Sequence, residues 1–215
     1  MSELLMLGDS MRFLKPRFKP IQFKPIEFPV HTVIRRPRVG EPTSFDRREP
    51  QNRAKPLPKQ MVKAVAFDRV RNSPRAIYGS TALVKQIPNT NRVANDTDIW
   101  SQQPMTDCDV MEDKLDSLAG GDAYYEQVVE FDDAIDGHKK LYQVVDRESG
   151  KSVMDFSQKP ENAQTVKLDD ISYEELKAMR EKLIRIMNDP RTSEKRYIKT
   201  AKDLRIIDKF LGIRK

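Results

Sequence analysis

The stretch Asn95-Asp96-Thr97-Asp98-Ile99-Trp100 (NDTDIW, 95–100) sets two acids one residue apart in a run that otherwise reads as a β-strand. Strand side chains alternate between faces, so Asp96 and Asp98 point one way and Thr97 and Ile99 the other. Like charges that close repel unless water screens them or a cation sits between them. A strand facing the protein has little water, so the pair predicts a cation. What flanks the strand decides which.

Upstream, MVKAVAFDRVR (61–71) reads as a helix with Val62, Val65, Ala66 and Val70 on one side. PRAIYGS (74–80) reads as a short strand entering a turn, and TALVKQI (81–87) as a helix ended by Pro88-Asn89. Downstream, TDCDVMEDKLDSLAGG (106–121) is an amphipathic helix with Cys108, Met111, Leu115 and Leu118 on one stripe, stopped by Gly120-Gly121. AYYEQVVEF, KKLYQVVD and KSVMDFS have strand character, the last two joined by a turn at 147–150. In the tail, Ser172 and Glu175 have capping-box spacing ahead of Leu176, Met179, Leu183 and Ile186. A last helix spans about 193–211, with Tyr197, Leu204, Ile207 and Leu211 inward and Gly212 closing it. The pattern predicts an α+β fold: a mixed sheet flanked by helices over 61–165 and a C-terminal helical pair over 166–215.

The first 60 residues differ in kind. They hold 9 of the 14 prolines, and 13 Lys and Arg against 6 acids, so the net charge of +6 belongs to the front end. RFKPIQFKPIEFPV repeats a Phe-Lys-Pro-Ile unit at Phe18 and Phe23, with an echo at Phe28. Proline fixes φ and removes amide donors, so this segment predicts an extended arm over 1–60 rather than a helix or central strand. Spaced Phe residues and Arg35, Arg36, Arg38, Arg47 and Arg48 suit docking on a protein assembly or on nucleic acid.

Composition narrows the function. The single cysteine, Cys108, excludes an internal disulfide and a cysteine-rich zinc site, and fits a reducing compartment. His31 and His138 are the only histidines and lie far apart, so a bound metal would be a hard, oxygen-liganded ion. No apolar run reaches the ~20 residues of a membrane span. The N-terminus lacks the basic lead-in and cleavage site of a signal peptide. The expected location is the cytoplasm, or a virion for a viral chain.

In order, the core offers a strand, Gly79-Ser80, a helix, the Asp96-x-Asp98 strand, and a later strand carrying Asp155. Gly79 permits close backbone approach, and the amides opening the next helix favour a phosphate. Three carboxylates beside such a turn suit Mg²⁺ on a nucleoside triphosphate. Asp146 competes with Asp155 for the third position. Trp100 and Cys108 read as packing residues.

This order of motifs resembles the polymerase β-like nucleotidyltransferase superfamily, over residues 61 to 211, including its small bacterial antitoxin-type and AbiEii-type members. Lys202-Asp203 with Asp208 is similar to a tail motif of those members, though the second acid comes later. The resemblance implies that Asp96, Asp98 and Asp155 bind metal and carry catalysis, and that Gly79 and Ser80 bind the triphosphate. Basic tail residues Lys199 and Lys202 would join them at triphosphate oxygens. The reaction implied is transfer of a nucleoside monophosphate from an NTP to a hydroxyl of RNA, protein or a small molecule. The alternative is a non-catalytic interaction protein that keeps this fold inside a virion or ribonucleoprotein and is anchored by its arm.

Overall fold

The computed structural model describes residues 33–34, 53–131 and 139–213. The arm expected over 1–60 therefore lies outside the described residues except at 33–34 and 53–60, as do His31 and His138. Among the described residues the strands, labelled in chain order, are β1 (Val33–Ile34), β2 (Ala76–Tyr78), β3 (Thr97–Ser101), β4 (Tyr124–Glu130), β5 (Lys140–Asp146), β6 (Ser152–Gln158), β7 (Thr165–Leu168) and β8 (Ile171–Glu174). They form one sheet in the order β1-β4-β5-β6-β3-β2-β8-β7. β3 runs parallel to β6 and β2 parallel to β8, while the other neighbours are antiparallel. The helices are α1 (Lys59–Val70), α2 (Gly79–Gln86), α3 (Pro104–Ala119), α4 (Leu176–Asn188) and α5 (Glu194–Phe210). Among the described residues no helix is long and apolar enough to cross a membrane.

Strand alternation sorts the central residues into two faces. Ile77, Ile99, Met154, Phe156 and Tyr173 are fully buried on one, against Val62, Ala66 and Val70 of α1 and Cys108, Met111 and Leu115 of α3. Removing such side chains from water stabilises by roughly 1.5–3 kcal/mol each, which fixes the register. On the other face the register places Tyr78 opposite Asp98, Asp98 opposite Asp155, and Asp155 opposite Gln143. That row crosses four adjacent strands and is largely polar.

Asp107 ties several elements together. Its carboxylate is 1% exposed and accepts from Arg69 on α1 (2.6 Å), from Nε and Nη2 of Arg75 ahead of β2 (2.6 Å each), and from Ser101 at the end of β3 (2.5 Å). Burial pushes its pKa up, but the hydrogen bonds from Arg75, Ser101 and Arg69 outweigh it and hold the group below the ordinary value. Its stabilisation is thus present above the unfolded value and is lost as pH falls through the lowered one. Asp107→Ala strands two guanidinium groups, and urea unfolding should show a loss of about 3–5 kcal/mol.

Several expectations are corrected. The segment 166–174, assigned to a helical tail, instead supplies β7 and β8, and Tyr173 of β8 pairs with Ile77 in the sheet. Ser172 lies within β8, and α4 is capped at Glu175 with no side-chain hydrogen bond, so there is no capping box. Burial of Ile171 and Tyr173 at period two overrides that local signal. Leu118 is 50% exposed because Ala119, four residues beyond Leu115, takes the inward position. Tyr197 is 45% exposed, since the buried stripe of α5 starts a turn later at Thr200. At the front, Ala54 and Leu57 pack on the core, the Leu57 amide donates to Tyr124 Oη (2.7 Å), and β1 pairs with β4. Pieces of the chain before residue 61 therefore belong to the packed unit.

Candidate active site

Asp98 sits in mid-β3 and Asp155 in mid-β6, while Asp96 lies just ahead of β3. The loop leading to Asp96 is pinned along its length. Arg92 donates to Asp203 of α5 (2.7 Å), Lys63 to the Ala94 carbonyl (2.8 Å), and Thr81 of α2 to the Asp96 carbonyl (2.8 Å). With the backbone held this way, one oxygen of each of Asp96, Asp98 and Asp155 lies within 4.8 Å of the others.

The electrostatics are unfavourable without a counter-ion. Burial raises the Asp98 pKa well above its ordinary value, and the charges of Asp96 and Asp155 push it further. Lys199 and Lys182 oppose the shift. Asp155 is 8% exposed. Its pKa is raised by burial and by Asp96, against hydrogen bonds from Ser152 and Gln143 (the latter 2.9 Å). Both donors reach Oδ1, so among the described residues Oδ2 is the oxygen without a hydrogen-bond donor. An all-carboxylate donor set on a partly dehydrated face fits a hard divalent ion such as Mg²⁺.

Gly79 completes the cradle. It opens α2 at φ +66°, and a Cβ there would lie 2.5 Å from Asp98 Oδ2, so the position demands glycine twice over. Its amide donates to Glu174 Oε2 (3.1 Å), so the first amide of α2 already has a protein partner. Ser80 follows in the first turn, half-buried. Lys199 and Lys202 line a cleft of about 290 Å³ with Arg92, Lys195, Ile198 and Asp203, and Lys199 is near enough to influence Asp98.

Other candidates have structural roles. Asp146 accepts the Glu148 and Ser149 amides (2.8 and 3.0 Å) and builds the β5–β6 turn, which leaves the third position to Asp155. Trp100 is 4% exposed and stacked on Tyr78, a packing residue as expected. Cys108 is buried, and burial keeps its thiol protonated. In a second acidic group, Glu112, Asp116 and Asp122, the two aspartates are taken up locally. Asp116 accepts the Ala123 and Tyr124 amides, and Asp122 pairs with Arg147. Glu174, Lys182, Gln143 and Ser152 escaped sequence reading, because nothing in their spacing marks the contacts that the folded strands and α4 bring about.

The fold is α+β, a mixed sheet flanked by helices. Among solved structures, this chain is similar to the crystal structure of the Megavirus polyadenylate synthase, with a TM-score of 0.56 and 22% sequence identity. The match covers 73% of this chain and 32% of that one, so the chain spans about a third of that protein's length. No family model and no curated protein matches the chain.

Proposed function

We propose that this protein is a Mg²⁺-dependent nucleotidyltransferase that moves a nucleoside monophosphate from an NTP to an acceptor hydroxyl. The observation that carries the reading is the convergence of Asp96, Asp98 and Asp155 beside the Gly79 turn. Bound there, magnesium would neutralise charge on the transferring phosphate and on departing pyrophosphate. Asp96 and Asp98 hold metal and phosphate in place. Ser80, with the opening turn of α2, and Lys199 and Lys202 on the cleft wall receive triphosphate oxygens. Asp155 would join the metal ligands, orient the acceptor hydroxyl and take its proton on the oxygen that Gln143 and Ser152 do not use. The hydroxyl oxygen bonds to the α-phosphorus as the bond to the bridging oxygen breaks and pyrophosphate leaves.

The acceptor is RNA, a protein side chain or a small molecule. Asp203 and Asp208, the acids that resemble a tail motif of antitoxin-type and AbiEii-type members, are engaged by Arg92 and Arg180. Here those acids brace α5 rather than meet the nucleotide. Calorimetry with Mg²⁺ and a non-hydrolysable NTP tests the reading against a purely architectural role. Binding that needs both ligands and disappears in Asp96→Ala/Asp98→Ala is expected. No binding at millimolar ligand would favour the non-catalytic scaffold.

A further inference from the structure

Tyr78 and Trp100 stack with centroids 4.9 Å apart, and the Lys182 ammonium stands 5.4 Å and 5.6 Å from their ring centres. Lys182 also pairs at 2.6 Å with Glu174, which is 2% exposed and whose other oxygen accepts the Gly79 amide. Tyr78 is the strand partner of Asp98, and Gly79 abuts the Asp98 carboxylate. One long side chain from α4 is thus held by an acid and two rings at the edge of the carboxylate trio. A lysine ammonium has three N–H donors, and Glu174 uses one.

We propose that Lys182 is a phosphate-binding cation of the site, positioned by Glu174, and that it makes the carboxylate trio take a divalent ion strongly only together with a polyphosphate. The inference rests on the nucleotidyltransferase reading and adds to it a residue and a binding order. A lone divalent ion meets three carboxylates and a fixed positive charge that opposes it. A metal-bound polyphosphate meets the same carboxylates through its metal and Lys182 through its oxygens, so the opposition becomes attraction. The aromatic pair restricts where the ammonium can sit, because both ring faces attract a cation. The buried Glu174 carboxylate prevents the side chain from turning out to solvent, since separation would leave that acid unpaired.

The test uses the full chain and Mn²⁺, whose free-ion paramagnetic resonance signal reports binding, with and without a non-hydrolysable NTP. Lys182→Met should tighten binding of Mn²⁺ alone by at least about threefold. It should weaken binding of the Mn²⁺–nucleotide complex by at least about tenfold. Glu174→Gln, which keeps an acceptor for the Gly79 amide and removes a negative charge, should instead weaken Mn²⁺ alone, and should weaken the nucleotide complex less than Lys182→Met does, because the ammonium is loosened but still present. Opposite movements in two variants of one ion pair cannot come from local damage. If both variants weaken both ligands alike, or change neither, Lys182 is a structural partner of Glu174 and the inference is overturned while the enzymatic reading stands. A wild-type protein that binds neither Mn²⁺ nor nucleotide overturns both. Should Lys182→Met lose its cooperative melt, Glu174→Gln/Lys182→Met restores a neutral pair. It should leave Mn²⁺ binding unchanged and still weaken the nucleotide complex; wild-type affinity for the complex would overturn the inference.

Discussion

Gly79→Ala is expected to reduce nucleotidyl transfer by about a hundredfold, because misplacing a reacting group by an ångström costs about that much. The new Cβ would stand 2.5 Å from Asp98 Oδ2, and the backbone is at φ +66°. The left-handed conformation costs an alanine roughly 1–2 kcal/mol. The contact must also be relieved, and the yielding atom belongs to the carboxylate on which metal binding depends. Gly120→Ala is the control: it has φ +78° but nothing within 4 Å of its added Cβ. Both variants should lose the backbone cost in urea unfolding, Gly79→Ala somewhat more because of its added contact, and only Gly79→Ala should lose transfer. Equal losses of activity would show that the close approach to Asp98 is unimportant.

Asp98→Asn should lower transfer by about a thousandfold or more, because it removes a charge that holds the metal and so the transition-state charge stabilisation supplied there. The same change should stabilise the metal-free protein. Burial first, and then Asp96 and Asp155, raise the Asp98 pKa in the folded chain. The native state therefore holds its proton to higher pH than the unfolded state, and stability falls as pH rises from the ordinary value through the raised one. From within that window upward the wild type bears a cost at Asp98 that the Asn variant does not. Melting at neutral pH without metal should place the variant higher. Saturating the wild type with Mg²⁺ and NTP should reverse the order, since ligand at about ten times Kd adds about 1.4 kcal/mol. For a chain of this size that is roughly 3–6 °C. A variant that melts lower than the wild type without metal would mean that Asp98 is not strained by its neighbours.

The carboxylate strand and the helices were legible in the sequence because their signals are local. Asp96-x-Asp98, Gly79-Ser80 and the alternation around Asp155 each need only a few consecutive residues. β7 and β8 were not, since Thr165–Leu168 and Ile171–Glu174 are only four residues each, and β7 at the sheet edge alternates between exposed and half-buried with no apolar run. Their turn uses Asp169 and Asp170 at φ 48° and 64°, a geometry usually announced by Asn-Gly or Asp-Gly. Missing that hairpin hid Glu174, and with it the reason Lys182 points at the site. Lys182 itself looks like any exposed lysine on an amphipathic helix, and only the packing of α4 shows that its side chain is 17% exposed. Only the family resemblance favours Asp155 over its rival Asp146 in the sequence. What separates them is the Asp146 hydrogen bonds to turn amides, which form only once the hairpin closes.

The proposed site at Asp96, Asp98 and Asp155 requires metal-dependent transfer of a nucleoside monophosphate. The most direct measurement follows label from α-labelled and γ-labelled NTPs into an acceptor panel of oligoribonucleotides, polypeptides, including this chain itself, and small hydroxyl compounds, with and without Mg²⁺. The predicted result is that α-label alone becomes attached to an acceptor, that chelation stops it, and that Asp96→Ala/Asp98→Ala eliminates it. Transfer that persists unchanged in that double variant, or that delivers γ-label instead, would contradict the account.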